Sequence, residues 1–501
     1  MHVNHQKEEK AQIVNGFILL GCSYYVYVHL SSLSFKLEPL EQLHREREKD
    51  WILFFFLLFT RTQPHLVERT TPMGDSILYS PAAPADKPHV GPTPSYLAEY
   101  VLFPFYDWFV LFYPKSWMPN TVTLCGVGAT LLSSLLLLCA MPSDAAFTPG
   151  RPLLLPWSWV EPGDAVPTPL YPTRIVPRPA WLFDELLSKR LCGGLVSGAL
   201  LLYSLCGVLN LSYCVADNTD GRLARRDRKT SLIGEYLDHG LDCVTSLLSV
   251  CMLYAVLGCS LSNMAVSISL IAVVTIISHT LNYEQSIFIW GTRIASVDEA
   301  MLLFGFAMWI PNLWPVGTVR VPVAVLESAL SFLPAAAQQS AVFYASRLTC
   351  IEWVYVFYNL VQLQTIAQLS SYNWRMLFRL PTLFMIANFT VLLATLPRHA
   401  AKVAAAGGAA DALTGYTLGP IPYPGLWMLV AASTGSVIVH VVISAKCAGL
   451  RRPDMVPLAG VLFMWAAFVA SPAGAVLLGA AIHVVQIFAN IRLISERRQK
   501  K

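Results

Sequence analysis

Charge is what this sequence has least of. Only 13% of its 501 residues are charged, while 55% are hydrophobic. A soluble globular domain carries about 25% charged residues, so that class is excluded and an all-α polytopic membrane protein is expected. Zinc-ligand spacing is missing as well. The eleven cysteines include no C-x-x-C pair and have no His-x-x-x-His partner, so zinc is not expected. The thiols read as small apolar groups packed among helices. No basic stripe interleaves with aromatic residues, and the formal charge of +4 gives no reason to expect nucleic acid. A cleavable signal needs a basic start, a compact apolar core and small residues after it, and the first residues do not follow that plan. Two glycosylation sequons, Asn210-Leu211-Ser212 and Asn388-Phe389-Thr390, sit inside apolar runs and are discounted.

What is there is long apolar runs. Spanning helices are expected at roughly 120–141, 193–215, 241–261, 263–284, 299–317, 338–363, 377–397, 425–446, 455–473 and 475–495. Each approaches the about 20 residues that a bilayer requires, giving about ten transmembrane helices. Residues 142–190 carry too many prolines for any helix to run through them and read as an irregular loop. Residues 1–94 read as an N-terminal extension and linker. An anchor helix is conceivable at 13–34, but a dispensable extension with Met73 as the working start is the stronger expectation. Residues 95–118 are dense in aromatics and interrupted by Pro104, Asp107 and Pro114. They read as an amphipathic segment at the headgroup layer, leading into a transmembrane domain over 119–501.

Basic residues fix an expected orientation. Arg225, Arg226, Arg228 and Lys229 follow the second span, Lys446, Arg451 and Arg452 the eighth, and Arg497, Arg498, Lys500 and Lys501 the tenth. With ten spans all three groups share one side, which the positive-inside rule assigns to the cytosol.

One run stands apart, DNTDGRLARRDRKTSLIGEYLDHGLDC from Asp217 to Cys243. Asp217, Asp220, Gly221 and Ala224 lie at i, i+3, i+4 and i+7, and Gly234, Asp238 and Asp242 at i, i+4 and i+8. Each set lies along one face of a helix. The polar stretch Asp227–Ser231 turns the chain between them, so the two helices meet acid to acid. Small residues permit close helix approach and leave room for a ligand. Four crowded carboxylates need positive charge among them. Hard oxygen ligands without His or Cys favour Mg²⁺ or Mn²⁺, which bind carboxylates together with substrate phosphates. A structural calcium site or an ion pathway is the competing reading of the acids taken alone.

The whole skeleton, Asp217, Asp220, Gly221, Ala224, Arg225, Gly234, Asp238 and Asp242, resembles the CDP-alcohol phosphotransferase signature D-x2-D-G-x2-A-R-x8-G-x3-D-x3-D. At about 5–7% usage per residue type, eight fixed positions match by chance on the order of once in a billion starts. Asp217-Asn218, Arg225-Arg226, Gly234-Glu235 and Asp238-His239-Gly240 are similar to the eukaryotic choline/ethanolamine branch. Pro119-Asn120-Thr121-Val122-Thr123-Leu124 with Gly126 resembles the opening of that branch's first membrane helix. Tyr283-Glu284-Gln285 and Asp298-Glu299 fall near a second polar cluster, without its usual Thr-Gly.

The resemblance implies transfer of phosphoethanolamine or phosphocholine from CDP-ethanolamine or CDP-choline to diacylglycerol or alkyl-acylglycerol, releasing CMP. It implies an endoplasmic reticulum or Golgi membrane, a site facing the cytosol, and a homodimer as the candidate assembly. Asp217, Asp220, Asp238 and Asp242 are the expected metal ligands, for two ions that clamp the attacking and departing oxygens. Asn120, Gly221, Ala224, Arg225, Gly234, Glu284 and Glu299 are expected at the substrate. The base is open among Asp242, Glu235 and His239. A Glu235–His239 pair is slightly preferred, because a carboxylate four residues before an imidazole can orient it. Another acceptor, inositol or glycerol phosphate, is the near alternative. An ion or metal transporter is the alternative from a different class.

Overall fold

The computed structural model describes residues 94–140, 198–257, 261–291, 296–309, 320–346, 350–405 and 415–499, with a few isolated positions besides. The expected anchor at 13–34, the run 51–60 and nearly all of the proline-rich loop 142–190 lie outside the described residues.

The fold is all-α, and the chain is a polytopic membrane protein. In chain order the helices are α1 (Phe103–Phe109), α2 (Pro119–Ala140), α3 (Gly198–Arg226), α4 (Leu232–Leu257), α5 (Leu261–Gln285), α6 (Val297–Ala307), α7 (Val323–Ala329), α8 (Ala335–Ala345), α9 (Cys350–Tyr372), α10 (Leu380–Ala405), α11 (Tyr423–Cys447), α12 (Pro457–Ala470) and α13 (Pro472–Gln499). Among the described residues seven helices are long and apolar enough to cross a membrane: α2, α3, α4, α5, α10, α11 and α13. The other three expected spans fall on shorter or more polar helices. The run 299–317 meets α6, of which 11 residues are described, and 455–473 meets the 14-residue α12. The run 338–363 is corrected: it straddles α8 and α9, and the helix there is Cys350–Tyr372. Asn359, Gln362, Gln364 and Gln368 make α9 more polar than its neighbours.

The bundle is layered around α5 and α11, whose membrane windows are 89% buried, whereas that of α13 is 22% buried and faces outward. α2 lies along α3, and α4 is held between α2 and α11. Gly126 makes the α2–α3 contact close, because a Cβ there would stand 2.7 Å from Cβ of Ala216. The ends of α11 and α13 meet the start of α4. Lys446 pairs with Glu235 across α11 and α4 at 2.6 Å, and Asn490 of α13 reaches Tyr236 at 3.0 Å.

At that end the aromatic segment docks on α3. Ala98, Leu102, Tyr106 and Val110, spaced by four, are buried, while Tyr100, Trp108, Leu111 and Phe112 are exposed. A helical stretch with one packed face and one ring-rich open face is what a headgroup-layer segment requires. The turn between α3 and α4 fastens it. Arg222 pairs with Asp107 and lies 4.8 Å over the Phe103 ring. Arg226 donates to the Val110 carbonyl at 2.6 Å. Lys229 donates to the carbonyls of Lys115 and Trp117, each at 3.1 Å.

Candidate active site

The acid-bearing helices end and begin with identifiable caps. The α3 terminus closes as a Schellman turn, with Lys229 N–H on the Ala224 carbonyl at 2.8 Å and Arg228 N–H on the Arg225 carbonyl at 3.3 Å. Arg228 takes the left-handed position, φ 55°, where glycine is usual. Ser231 then caps α4, its Oγ accepting from Gly234 N–H at 2.9 Å.

Across this hairpin Asp217, Asp238 and Asp242 come together. Each offers a carboxylate oxygen to a group whose members all lie within 4.8 Å of one another. Asp242 also accepts from the Tyr213 hydroxyl at 2.9 Å, and Tyr213 accepts from Thr245 at 2.6 Å. Asp220 stands beside this group rather than in it. Its carboxylate accepts from Thr123 of α2 and from its neighbour Gly221 N–H. The donor set is all oxygen, three carboxylates at half-buried positions, which fits a hard divalent cation.

Two cavities meet at these acids. The first, about 490 Å³, is lined by Asn120, Thr123, Asp220, Gly221, Ala224, Arg225, Lys229, Thr230, Ser231, Gly234, Glu235, Asp238 and His239. The second, about 480 Å³, holds Tyr213, Asp217, Asn218, Asp242, Phe103, Phe288, Trp290, Ser296, Asp298, Met301 and Phe304. Asp220, Gly221, Arg225, Asp238 and His239 belong to both. The glycines serve different ends. A Cβ on Gly234 would come within 3.1 Å of Asn120 Oδ1, so this glycine brings α4 against α2. A Cβ on Gly221 would meet only the Arg225 guanidinium, at 3.5 Å, so this glycine leaves room for a ligand.

Asn120, Gly221, Ala224, Arg225 and Gly234 all line the first cavity. Two expected contacts are corrected. Glu284 is buried in an ion pair with Arg379 of 2.8 Å and lines neither cavity. Glu299 closes a capping box with Ser296 and bonds Ser95, so its carboxylate serves the start of α6. Its neighbour Asp298 lines the second cavity instead. Burial pushes the Asp298 carboxyl up, opposed by hydrogen bonds from Ser296 and Asn218. The Ser-x-x-Glu spacing of Ser296 and Glu299 is itself a capping signal that points to Glu299. Tyr213, Thr123 and Asp298 were not among the expected site residues; nothing in their spacing marks them for a cavity.

The base candidates separate. His239 stands where the cavities join, its ring 5.1 Å from that of Phe288. Asp242 belongs to the acid cluster. Glu235 accepts from Lys446 Nζ at 2.6 Å.

Residues 201–332, the stretch containing this hairpin, match the family model of the CDP-alcohol phosphatidyltransferases. That stretch is therefore similar to a CDP-alcohol phosphatidyltransferase domain. Its curated relatives include ethanolaminephosphotransferase 1 of Mus musculus and of Homo sapiens, each 24% identical over 208 residues. Those alignments cover 40% of this chain and 41% of each relative. The chain thus matches less than half of the length of these relatives. The matched stretch keeps every position of the signature from Asp217 to Asp242 and contains the cluster of three acids.

Proposed function

We propose that this protein is an ethanolamine- or cholinephosphotransferase, moving the phospho-alcohol of CDP-ethanolamine or CDP-choline onto diacylglycerol or its alkyl-acyl counterpart with release of CMP. The observation that carries the reading is the junction of two unlike cavities at one set of carboxylates. A reaction between a nucleotide and a lipid needs such a meeting point.

The first cavity suits the nucleotide: Lys229, Arg225, Asn120, Thr230 and Ser231 offer donors at the α3–α4 turn, where Arg225, Arg226, Arg228 and Lys229 cluster. That turn is cytosolic by the positive-inside rule, so a water-soluble donor reaches it directly. The second cavity, walled by Phe103, Phe288, Trp290, Met301 and Phe304, suits the glycerol end of a lipid and the cationic head of the donor. Aromatic faces attract an ammonium, and Asp298 adds a carboxylate there.

Asp217, Asp238 and Asp242 would hold Mg²⁺ or Mn²⁺, with Asp220 beside them; bound there, the metal supplies Lewis-acid stabilisation of charge on the transferring phosphoryl group. Arg225, present in both cavities, neutralises the diphosphate. Gly221 lets the phosphate approach the α3 backbone. His239, at the junction, takes the proton from the acceptor hydroxyl as that oxygen attacks phosphorus, and CMP departs into the first cavity. Tyr213 fixes the Asp242 carboxylate, which leaves Asp242 a binding role rather than that of base. Glu235, bridged to Lys446, positions the α4 terminus.

The test is CMP release by purified protein given each CDP-alcohol with diacylglycerol and Mn²⁺. CMP formed only when both substrates are present supports the reading. Absence of transfer to diacylglycerol or alkyl-acylglycerol with either donor refutes it. Transfer to inositol or glycerol phosphate would assign the neighbouring activity.

A further inference from the structure

The third residue of Asp238-His239-Gly240 has a structural partner two hundred residues away. His440 of α11 is fully buried and rests on Gly240. A Cβ at Gly240 would stand 2.6 Å from His440 Cε1 and 3.1 Å from its Nδ1, inside any tolerable contact between carbon atoms. Only glycine lets the ring reach the α4 backbone. The same ring is oriented by a hydrogen-bond chain. Asn490 Nδ2 of α13 donates to the Tyr236 hydroxyl at 3.0 Å. The hydroxyl in turn shares a hydrogen bond of 2.8 Å with His440 Nδ1. Tyr236 is fully buried too, which makes each of these partners costly to lose.

Direction gives the contact its meaning. Tyr236 and Gly240 lie four apart and share one face of α4, and Asp238 and Asp242 each follow by two residues. Two residues are roughly half a turn of helix, so the acids lie on the opposite side, toward α3. His440 therefore bears on the back of the turn that presents Asp238 and Asp242 to Asp217. A cluster whose oxygens lie within 4.8 Å needs the α3–α4 separation held closely, and like charges push the two helices apart.

We propose that His440 is a positioning residue for the acid cluster, setting the distance of α4 from α3 through Gly240 and Tyr236. His440 lies outside the matched residues 201–332. It explains why glycine follows Asp238-His239 without assigning that glycine to the substrate. The inference rests on the reading of the acids as a metal site.

The experiment measures Mn²⁺ binding to the full chain in detergent by electron paramagnetic resonance of free Mn²⁺, alongside thermal unfolding. Gly240→Ala should weaken Mn²⁺ binding by about tenfold to a hundredfold, as loss of support for metal ligands does. Gly240→Ala with His440→Ala removes the clash and should bind as His440→Ala alone does, a non-additivity expected only of groups in contact. His440→Gln, which keeps a hydrogen-bonding partner for Tyr236, should bind more tightly than His440→Leu, and this comparison decides the matter if Gly240→Ala does not fold. Wild-type affinity in Gly240→Ala, strictly additive losses in the double variant, or equal affinities for Gln and Leu would each overturn the proposal. So would recovery of the unfolding temperature without recovery of Mn²⁺ affinity, because the contact would then serve stability alone. Failure of the parent chain to bind Mn²⁺ overturns the metal reading itself, and the positioning role with it.

Discussion

The two cavities share five residues but are built differently. The first is lined by residues between Pro119 and His239, drawn from α2 and the α3–α4 hairpin. The second draws on the aromatic segment at Pro94 and Phe103, on α5 at Ile271, and on the stretch from Phe288 to Phe304. One is a short-range construction with glycines, acids and an arginine at helical intervals. The other starts from the same two helices, at Tyr213, Asp217 and Asp242, and is completed by tertiary packing of residues distant in sequence. If the first cavity holds the nucleotide, as proposed, it can be written into a hairpin because phosphate and metal chemistry admits few residue types. The proposed lipid side asks only for apolar bulk, which most of this chain supplies.

Substitution of the shared acids should erase the difference between the cavities. Asp238→Asn keeps the shape and removes a ligand charge, so turnover should fall to background while the protein still inserts and unfolds normally. Near-normal rates at low Mn²⁺ would show that the acids do not hold the metal.

At the junction, His239→Ala should lose about a hundredfold to ten-thousandfold of turnover, the usual contribution of general base catalysis, with CDP-alcohol binding retained. Because the base must be neutral to accept a proton, turnover of the parent should decline toward acid pH, and that decline should vanish in the variant. If Asp242→Asn rather than His239→Ala shows this kinetic pattern, the base belongs to the acid cluster.

Asp298→Asn tests the second cavity alone. It should raise KM for the CDP-alcohol by about tenfold to a hundredfold, the contribution of a hydrogen bond to a charged group being about 1.5–3 kcal/mol. Inhibition by CMP, which lacks the head group, should not change. A shift in KM for diacylglycerol instead would move Asp298 to the acceptor's side of the cavity.

The smallest effect is expected at the turn. Arg228→Gly relieves the left-handed backbone at φ 55° and should stabilise the protein by about 0.5–1 kcal/mol, read as a higher unfolding temperature with turnover unchanged. A lower unfolding temperature would show that the arginine side chain outweighs its backbone cost.

This contrast also explains what could be read before the structure. Composition and run length were enough for an all-α membrane bundle, because bilayer thickness imposes one length on every span. The facing acids of the α3–α4 hairpin followed from spacing alone. The break before Cys350 did not, although Ser346, Arg347 and Thr349 interrupt the apolar run there. Glu284 was misread because a lone acid near a helix end looks the same whether its partner is substrate or Arg379. Asp298 and Glu299 are adjacent, and only the backbone of α6 separates the capping carboxylate from the one in the cavity. His440 carried no local mark, and its importance lies in what it touches.

The fastening of Arg222, Arg226 and Lys229 onto the aromatic segment makes that segment a float. We propose that its open rings ride with the headgroup layer, so that the acids hang a fixed distance beneath it. The hydroxyl of the proposed diacylglycerol substrate would then stay level with the site when the membrane thickens. Turnover in reconstituted vesicles should then follow headgroup packing and be nearly indifferent to acyl-chain length. A steep dependence on chain length would mean that the spans, and not the rings, set the draught.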